Sequence, residues 1–169
     1  MVKPLGSKGY SLTEVMLVVL ITGIIAGSAA PVLKGMTNFW RQTSARSEIQ
    51  RDVRLSLDTI NRFLRQAKSS TVQIDQLTGM PPYSRIGFTA VDGKRITIWQ
   101  TGRDLKMSVN DGTTTKTAYL SHRVGFLAFS YPRTDDISII SVAVTMQAPT
   151  YLGGAKTLQL SIQKVRVMN

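Results

Sequence analysis

One carboxylate stands at the mouth of a long uncharged run. Glu14 immediately precedes Val15 to Leu33, nineteen residues without a charged side chain. A carboxylate in a membrane-length apolar segment costs up to about 3 kcal/mol, less near an end, and such a group commonly marks a partner of opposite charge. Two readings of Glu14 are open on this basis: a group in water at an interface, or one that waits for a cation from another molecule. Elsewhere, residues suited to chemistry are sparse. His122 is the one histidine, and neither a nucleophile nor an orienting acid lies near it in sequence. It reads as a polar turn residue. Asp135 and Asp136 are adjacent carboxylates, but a hard cation needs several further oxygens, and the neighbouring Pro132 makes this a turn. The chain has no Cys, which excludes disulfide frameworks and Cys/His zinc centres. There is no glycine-rich phosphate loop, and Gly153-Gly154 reads as a hairpin turn. The expectation is a chain without a catalytic site, metal or cofactor, and not an enzyme.

Charge points outward. The 169 residues include 21 Lys and Arg against 10 Asp and Glu, a formal net charge of +11. Such a balance favours anionic partners, whether nucleic acid, lipid headgroups or acidic protein surfaces. Arg51, Arg54, Arg62 and Arg65 recur at helical spacing and form a candidate anion-binding stripe, with Lys68 beyond them. Arg85, Lys94, Arg95, Arg103, Lys106, Lys116, Arg123, Lys156, Lys164 and Arg166 are spread over the second half, where Tyr83, Trp99 and Tyr119 could interleave as stacking groups. The competing reading is a solvated surface, or one complementary to acidic neighbours.

Three elements must position these residues. As a helix rising ~1.5 Å per residue, Val15 to Leu33 covers roughly 28 Å, close to the hydrocarbon thickness of a bilayer. It suits an export signal that is removed, a plain anchor, or a segment that is inserted and later withdrawn. Lys3 and Lys8 form a basic stretch before it, and Ala26 to Ala30 are small residues of the kind found at cleavage sites. Next, Ile49, Val53, Leu57, Ile60, Leu64 and Ala67 fall at steps of three and four, one stripe of an amphipathic helix. Leu55 and Phe63 lie off that stripe, and Asp58 stands four residues from both Arg54 and Arg62, so weak ion pairs are open to it. The pattern predicts one helix from about Ser11 to Lys68, kinked at Pro31, unless Gly35 to Thr43 breaks it. After Lys68 the period becomes two: Leu105-Met107-Val109, Ile140-Val142-Val144-Met146 and Leu158-Leu160-Ile162 alternate. Shorter candidates are Val72 to Ile74, Ile86 to Phe88 and Ile96 to Trp99. Val124 to Tyr131 changes phase midway, which predicts a bulge. The fold class expected is α+β, a long N-terminal helix packed on an antiparallel sheet.

The segment Gly9-Tyr10-Ser11-Leu12-Thr13-Glu14, followed by an apolar run, resembles the N-terminal processing motif of type IV pilins and type II secretion pseudopilins. The resemblance covers about 25 residues of the chain: leader charge at Lys3 and Lys8, Gly9, Glu14, the apolar run and Pro31. It implies a leader of residues 1–9, cut by a prepilin peptidase between Gly9 and Tyr10, with N-methylation of Tyr10. It implies a hydrophobic transmembrane and assembly helix over 10–34, an amphipathic helix over 35–68 and a β-rich head over 69–169. Glu14 falls at the fifth mature position, where the family's acidic residue meets the N-terminal amine of a neighbouring subunit. Pro31 falls where the family's hydrophobic helix bends. Two positions depart from the pattern: Tyr10 stands where Phe or Met is usual, and Thr13 where an aliphatic residue is usual. The later strands resemble minor pilins of the W type and minor pseudopilin J, while Glu14 argues against the large tip pseudopilin. Without Cys, the C-terminal disulfide loop of many major pilins is excluded. The implied role is a structural subunit of a type IV pilus or type II secretion pseudopilus. Its partners would be other pilin subunits, the peptidase and methyltransferase, an inner-membrane assembly platform and lipid. The precursor would cross the bacterial inner membrane once, N-terminus in the cytoplasm, before entering a periplasmic or extracellular filament. A subunit that binds DNA for uptake and an unrelated anchored envelope protein are the alternatives.

Overall fold

The stripe from Ile49 to Leu64 needs an apolar surface to cover it, and antiparallel strands among the described residues provide that surface. The computed structural model describes residues 9–149 and 156–167. Lys3, Lys8, the rest of the expected leader before Gly9, and the expected turn at Gly153-Gly154 lie outside the described residues. One long helix, α1, spans Leu12–Leu64. A single 3₁₀ turn at Ser69–Thr71 follows. The strands are β1 (Gln73–Asp75), β2 (Arg85–Thr89), β3 (Arg95–Thr101), β4 (Asp104–Asn110), β5 (Thr115–Ser121), β6 (Val124–Ser130), β7 (Ile139–Pro149) and β8 (Lys156–Arg166). The architecture is α+β: a long apolar N-terminal helix, packed through its later turns on antiparallel sheet.

Helix α1 is unbroken through Pro31 and through Gly35 to Thr43, so the break left open by the sequence is absent. Ser11 starts it: its carbonyl accepts from the Glu14 and Val15 N–H groups at 3.0 and 3.2 Å. The helix ends at Leu64, short of the expected Lys68. There the bonding tightens: Gln66 N–H donates to the Phe63 carbonyl at 3.0 Å and Ala67 N–H to Leu64 at 3.1 Å, each three residues back. Ala67 then bridges to Ala90, and Lys68 N–H donates to the Thr89 carbonyl at 2.9 Å. Ala67 is buried as its place in the apolar stripe suggested, but through this bridge rather than as part of the helix. Contacts divide the chain at Arg41, with Gln42 opening the second compact unit.

In that second unit β1 to β5 form an antiparallel meander in sequence order, and β6, β7 and β8 form a second antiparallel sheet. Ile49, Val53, Leu57, Ile60 and Leu64 of α1 share one buried cluster with Ile86, Phe88, Ile96, Ile98 and Leu105 of the first sheet and Leu127, Phe129, Val142 and Val144 of the second. The side chain of Gln100 joins the sheets. Its Oε1 accepts from Leu127 N–H at 2.9 Å while its Nε2 donates to the Gly102 carbonyl at 2.7 Å. Phe129 N–H donates to the Tyr83 carbonyl and Val124 N–H to Arg103, both at 2.9 Å, so the amides of β6 find acceptors in loops of the first sheet.

The expected bulge is present between Val124 and Phe126, where β6 shifts register on β7. Strand β5 has no counterpart among the predicted strands. Its residues Thr115 to Tyr119 are exposed on both faces, so no apolar alternation announces it. Strand β8 is present, but Leu160 and Ile162 face outward, 60% and 61% exposed, and the side chain of Leu158 lies outside the described residues. The register pairs Ile162 with Ala143 and Gln163 with the buried Val142, so β8 turns glutamine toward the core side until Val165.

Candidate functional site

The residues expected to matter most lie at the start of α1. Gly9 and Tyr10 precede the helix and are exposed, and Glu14 sits in its first turn. Tyr10, Glu14, Val15, Val18 and Val19 line one shallow groove on the segment. Around the helix every side is apolar and open: Val15, Leu17, Val19, Ile21, Ile24 and Leu33 are all exposed. An 18-residue window here has a mean hydropathy of 2.3 with none of it buried, so this helix is long and apolar enough to cross a membrane.

The other polar side chains of the segment are satisfied by their own helix. The Thr22 hydroxyl donates to the Val18 carbonyl at 2.7 Å, Ser28 to Ile25 at 2.8 Å and Thr37 to Leu33 at 2.8 Å. Such back-bonding lets hydroxyls enter an apolar medium without an orphan donor. Pro31 has no N–H, which leaves the Gly27 carbonyl without its usual partner and weakens the ladder there. Glu14 makes no ion pair among the described residues. It is the only charged side chain between Gly9 and Leu33, and its place in the first turn sets it at the favourable positive end of the helix dipole.

No protein-family model matches the chain, and no curated protein matches it. The geometry of the site therefore carries the functional argument.

Arg51, Arg54 and Arg62 lie on the exposed side of α1, away from the buried stripe, and Arg65 is exposed in the turn that follows the helix. Arg62 and Arg65, with Asp58, Asn61 and Gln66, border a polar groove closed on its far side by Gln163 of β8; Arg51 and Arg54 do not line it. The pairs open to Asp58 do not form among the described residues. Instead the Arg62 guanidinium lies 5.1 Å from the centroid of the Phe63 ring, and Phe63 is itself packed against the core. Leu55 stays exposed.

Several of the other basic residues are engaged within the head. Arg123 reaches back to α1, to Glu48 at 2.7 Å and Asp52 at 3.3 Å. These contacts hold its guanidinium above its ordinary pKa, the Glu48 hydrogen bond contributing most. Arg85 pairs with Asp75, Lys94 with Asp92 and Arg133 with Asp135. His122 has a partner that its sequence neighbours concealed: Nδ1 lies 2.8 Å from Asp104 Oδ1, eighteen residues away, and its ring is 5.0 Å from that of Tyr119. Asp135 and Asp136 serve their own loop. Asp135 binds Arg133, and Asp136 accepts from the Ser138 hydroxyl and amide, which holds its carboxyl below the usual range.

Proposed function

We propose that the chain is a pilin-like structural subunit, a minor pilin or pseudopilin, whose work is assembly rather than catalysis. One observation carries the reading: an exposed apolar run in the first half of α1 whose only charged side chain, Glu14, stands five residues after Gly9 and has no ion-pair partner among the described residues. The precursor sits in the inner membrane, is cut between Gly9 and Tyr10, and is methylated at Tyr10. The helix then leaves lipid for a filament in which neighbouring helices replace the acyl chains. A carboxylate in that interior is tolerable once an opposite charge pairs with it, and the free amine of a neighbouring Tyr10 is such a charge. The pairing also sets register between subunits, and Pro31 lets the helix bend as it packs. Partners on this reading are other pilin subunits, the processing peptidase and methyltransferase, and the assembly platform.

The deciding measurement is the mass and N-terminal sequence of the protein isolated from its native membrane. A chain beginning at methylated Tyr10 is expected, and Gly9→Val should leave it uncut. A start near Ala29, or an intact Met1, would reduce the apolar helix to an ordinary signal or anchor.

A further inference from the structure

The outer face of the five-stranded sheet carries a second functional feature, independent of the N-terminal helix. Cross-strand register aligns Asp75, Arg85, Trp99, Lys106 and Tyr119 in a single row over β1 to β5. Cations and aromatic rings therefore alternate: Arg85, Trp99, Lys106, Tyr119. The Lys106 ammonium lies 5.0 Å from the Tyr119 ring centroid, and His122 extends the row beside Tyr119. The neighbouring row is Gln73, Gly87, Thr97, Ser108 and Thr117, small and polar throughout. Beyond it lie Thr89, Arg95, Asn110 and Thr115. At Gly87 the space above the sheet is open, with only Thr97 Oγ1 within reach, at 3.9 Å from a would-be Cβ.

This face has neither of the usual purposes of a sheet surface. It is not a core layer, because the opposite face holds Ile86, Ile98, Leu105 and Met107. Nor is it uniformly polar, because Tyr119 stands 56% exposed beside the Lys106 ammonium and Trp99 lies half-buried in the same row. The carboxylates at its margins are engaged: Asp75 by Arg85, Asp92 by Lys94, Asp104 by His122 and Asp111 by its own turn. Lys106 and Arg95 make no ion pair among the described residues, so the surface is left positive.

We propose that this face binds single-stranded nucleic acid. Adjacent strands lie about 4.8 Å apart, which sets Trp99 and Tyr119 roughly 10 Å apart with Lys106 between them. Two ring platforms separated by a cation suit a chain whose planar bases and anionic phosphates alternate. The hydroxyls and amides of the second row supply hydrogen bonds to sugar and phosphate. A duplex keeps its base faces stacked inside and could use the charges alone. An uncharged glycan could use the rings alone and would leave the net positive charge without a role.

The test is fluorescence anisotropy with a labelled oligothymidylate of roughly 12 nucleotides, using the full chain in detergent micelles. The same-length duplex, a sulfated polysaccharide and a neutral glucan serve as competitors. The oligothymidylate should bind more tightly than the duplex. Trp99→Ala and Tyr119→Ala should each weaken it about tenfold with little change in salt dependence, whereas Tyr119→Phe should bind like the parent. Lys106→Ala should lower the salt slope by about one. Should Trp99→Ala unfold the head, as circular dichroism would reveal, Tyr119→Ala on the exposed edge strand decides alone. Equal affinity for duplex and sulfated polysaccharide with no effect of the ring substitutions would mean charge alone and overturn the proposal. So would displacement by the neutral glucan, or no binding at low salt.

Discussion

Helix α1 contains two different solutions to the same hydrophobic problem. From Val15 to Leu33 its side chains are apolar on every side and exposed all round. From Ala45 to Leu64 they are apolar on one stripe, and that stripe is buried. Backbone bonding is the same in both parts, so secondary structure does not distinguish them. Environment does. A striped helix needs one apolar wall, and the two sheets provide it within the same chain. A helix apolar all round needs an apolar medium on every side. The first part is long and apolar enough to cross a membrane, while the second finds its apolar wall within the chain.

Changes in one part should leave the other intact, and the largest expected effect tests this most directly. Glu14→Ala should leave the precursor processed and the head folded while reducing incorporation into filaments to a small fraction of the parent, as measured in sheared filament preparations. Normal incorporation would remove the pairing role and leave Glu14 as a residue in interfacial water.

Next in size is a matched pair of core-type deletions. Ile60→Ala, at a site with no exposed surface, should cost the head about 2–5 kcal/mol. Ile24→Ala, on the fully open part, should change head stability by less than about 0.5 kcal/mol. Denaturant melts in a fixed detergent would compare the two, and similar losses would erase the distinction between the halves.

Gln100→Leu sharpens the claim that the head is self-sufficient. It keeps the approximate volume but removes the acceptor for Leu127 N–H, so a buried donor loses its partner at a cost of about 1–3 kcal/mol. The same melts should register it, and an unchanged midpoint would show that the two sheets hold together without this link.

The smallest effect belongs to a part of the head where nothing is buried. In the β4–β5 turn Asp111 accepts from Thr114 N–H at 2.7 Å and from the Thr113 hydroxyl and amide, and its pKa is lowered to about 2, the Thr114 bond contributing most. A depressed carboxylate stabilises fully above its ordinary value and loses that contribution as pH falls through the folded value. Amide exchange at Thr113 and Thr114 should therefore lose protection as pH drops from about 4 toward 2. Asp111→Asn should flatten this dependence, and equal pH profiles for parent and variant would assign it elsewhere.

Much of the fold was legible because it rests on period. The stripe from Ile49 to Leu64, the alternation of Ile140 to Met146 and the phase change after Val124 are local consequences of helix and strand geometry. The proposed processing motif, Gly9, Tyr10 and Glu14, is read in the same local way, from order along the chain alone. Strand β5 was hidden because it is an exposed edge whose Thr, Lys and Tyr have no inward face to mark. The helix end was misplaced because the apolar period continues to Ala67 while the bridge to Ala90 takes the chain away.

By itself the sequence determined that an uncharged helix follows Glu14, that an amphipathic helix and alternating strands come after it, and that the chain is strongly basic. Those are properties of neighbours in order, and composition and spacing carry them. Only the tertiary structure decided that β8 turns Leu160 and Ile162 outward and that His122 meets Asp104. The same is true of the row that places Trp99, Lys106 and Tyr119 side by side. Each depends on strand register, which is set by pairing between residues far apart in the chain and by which face the shared core claims.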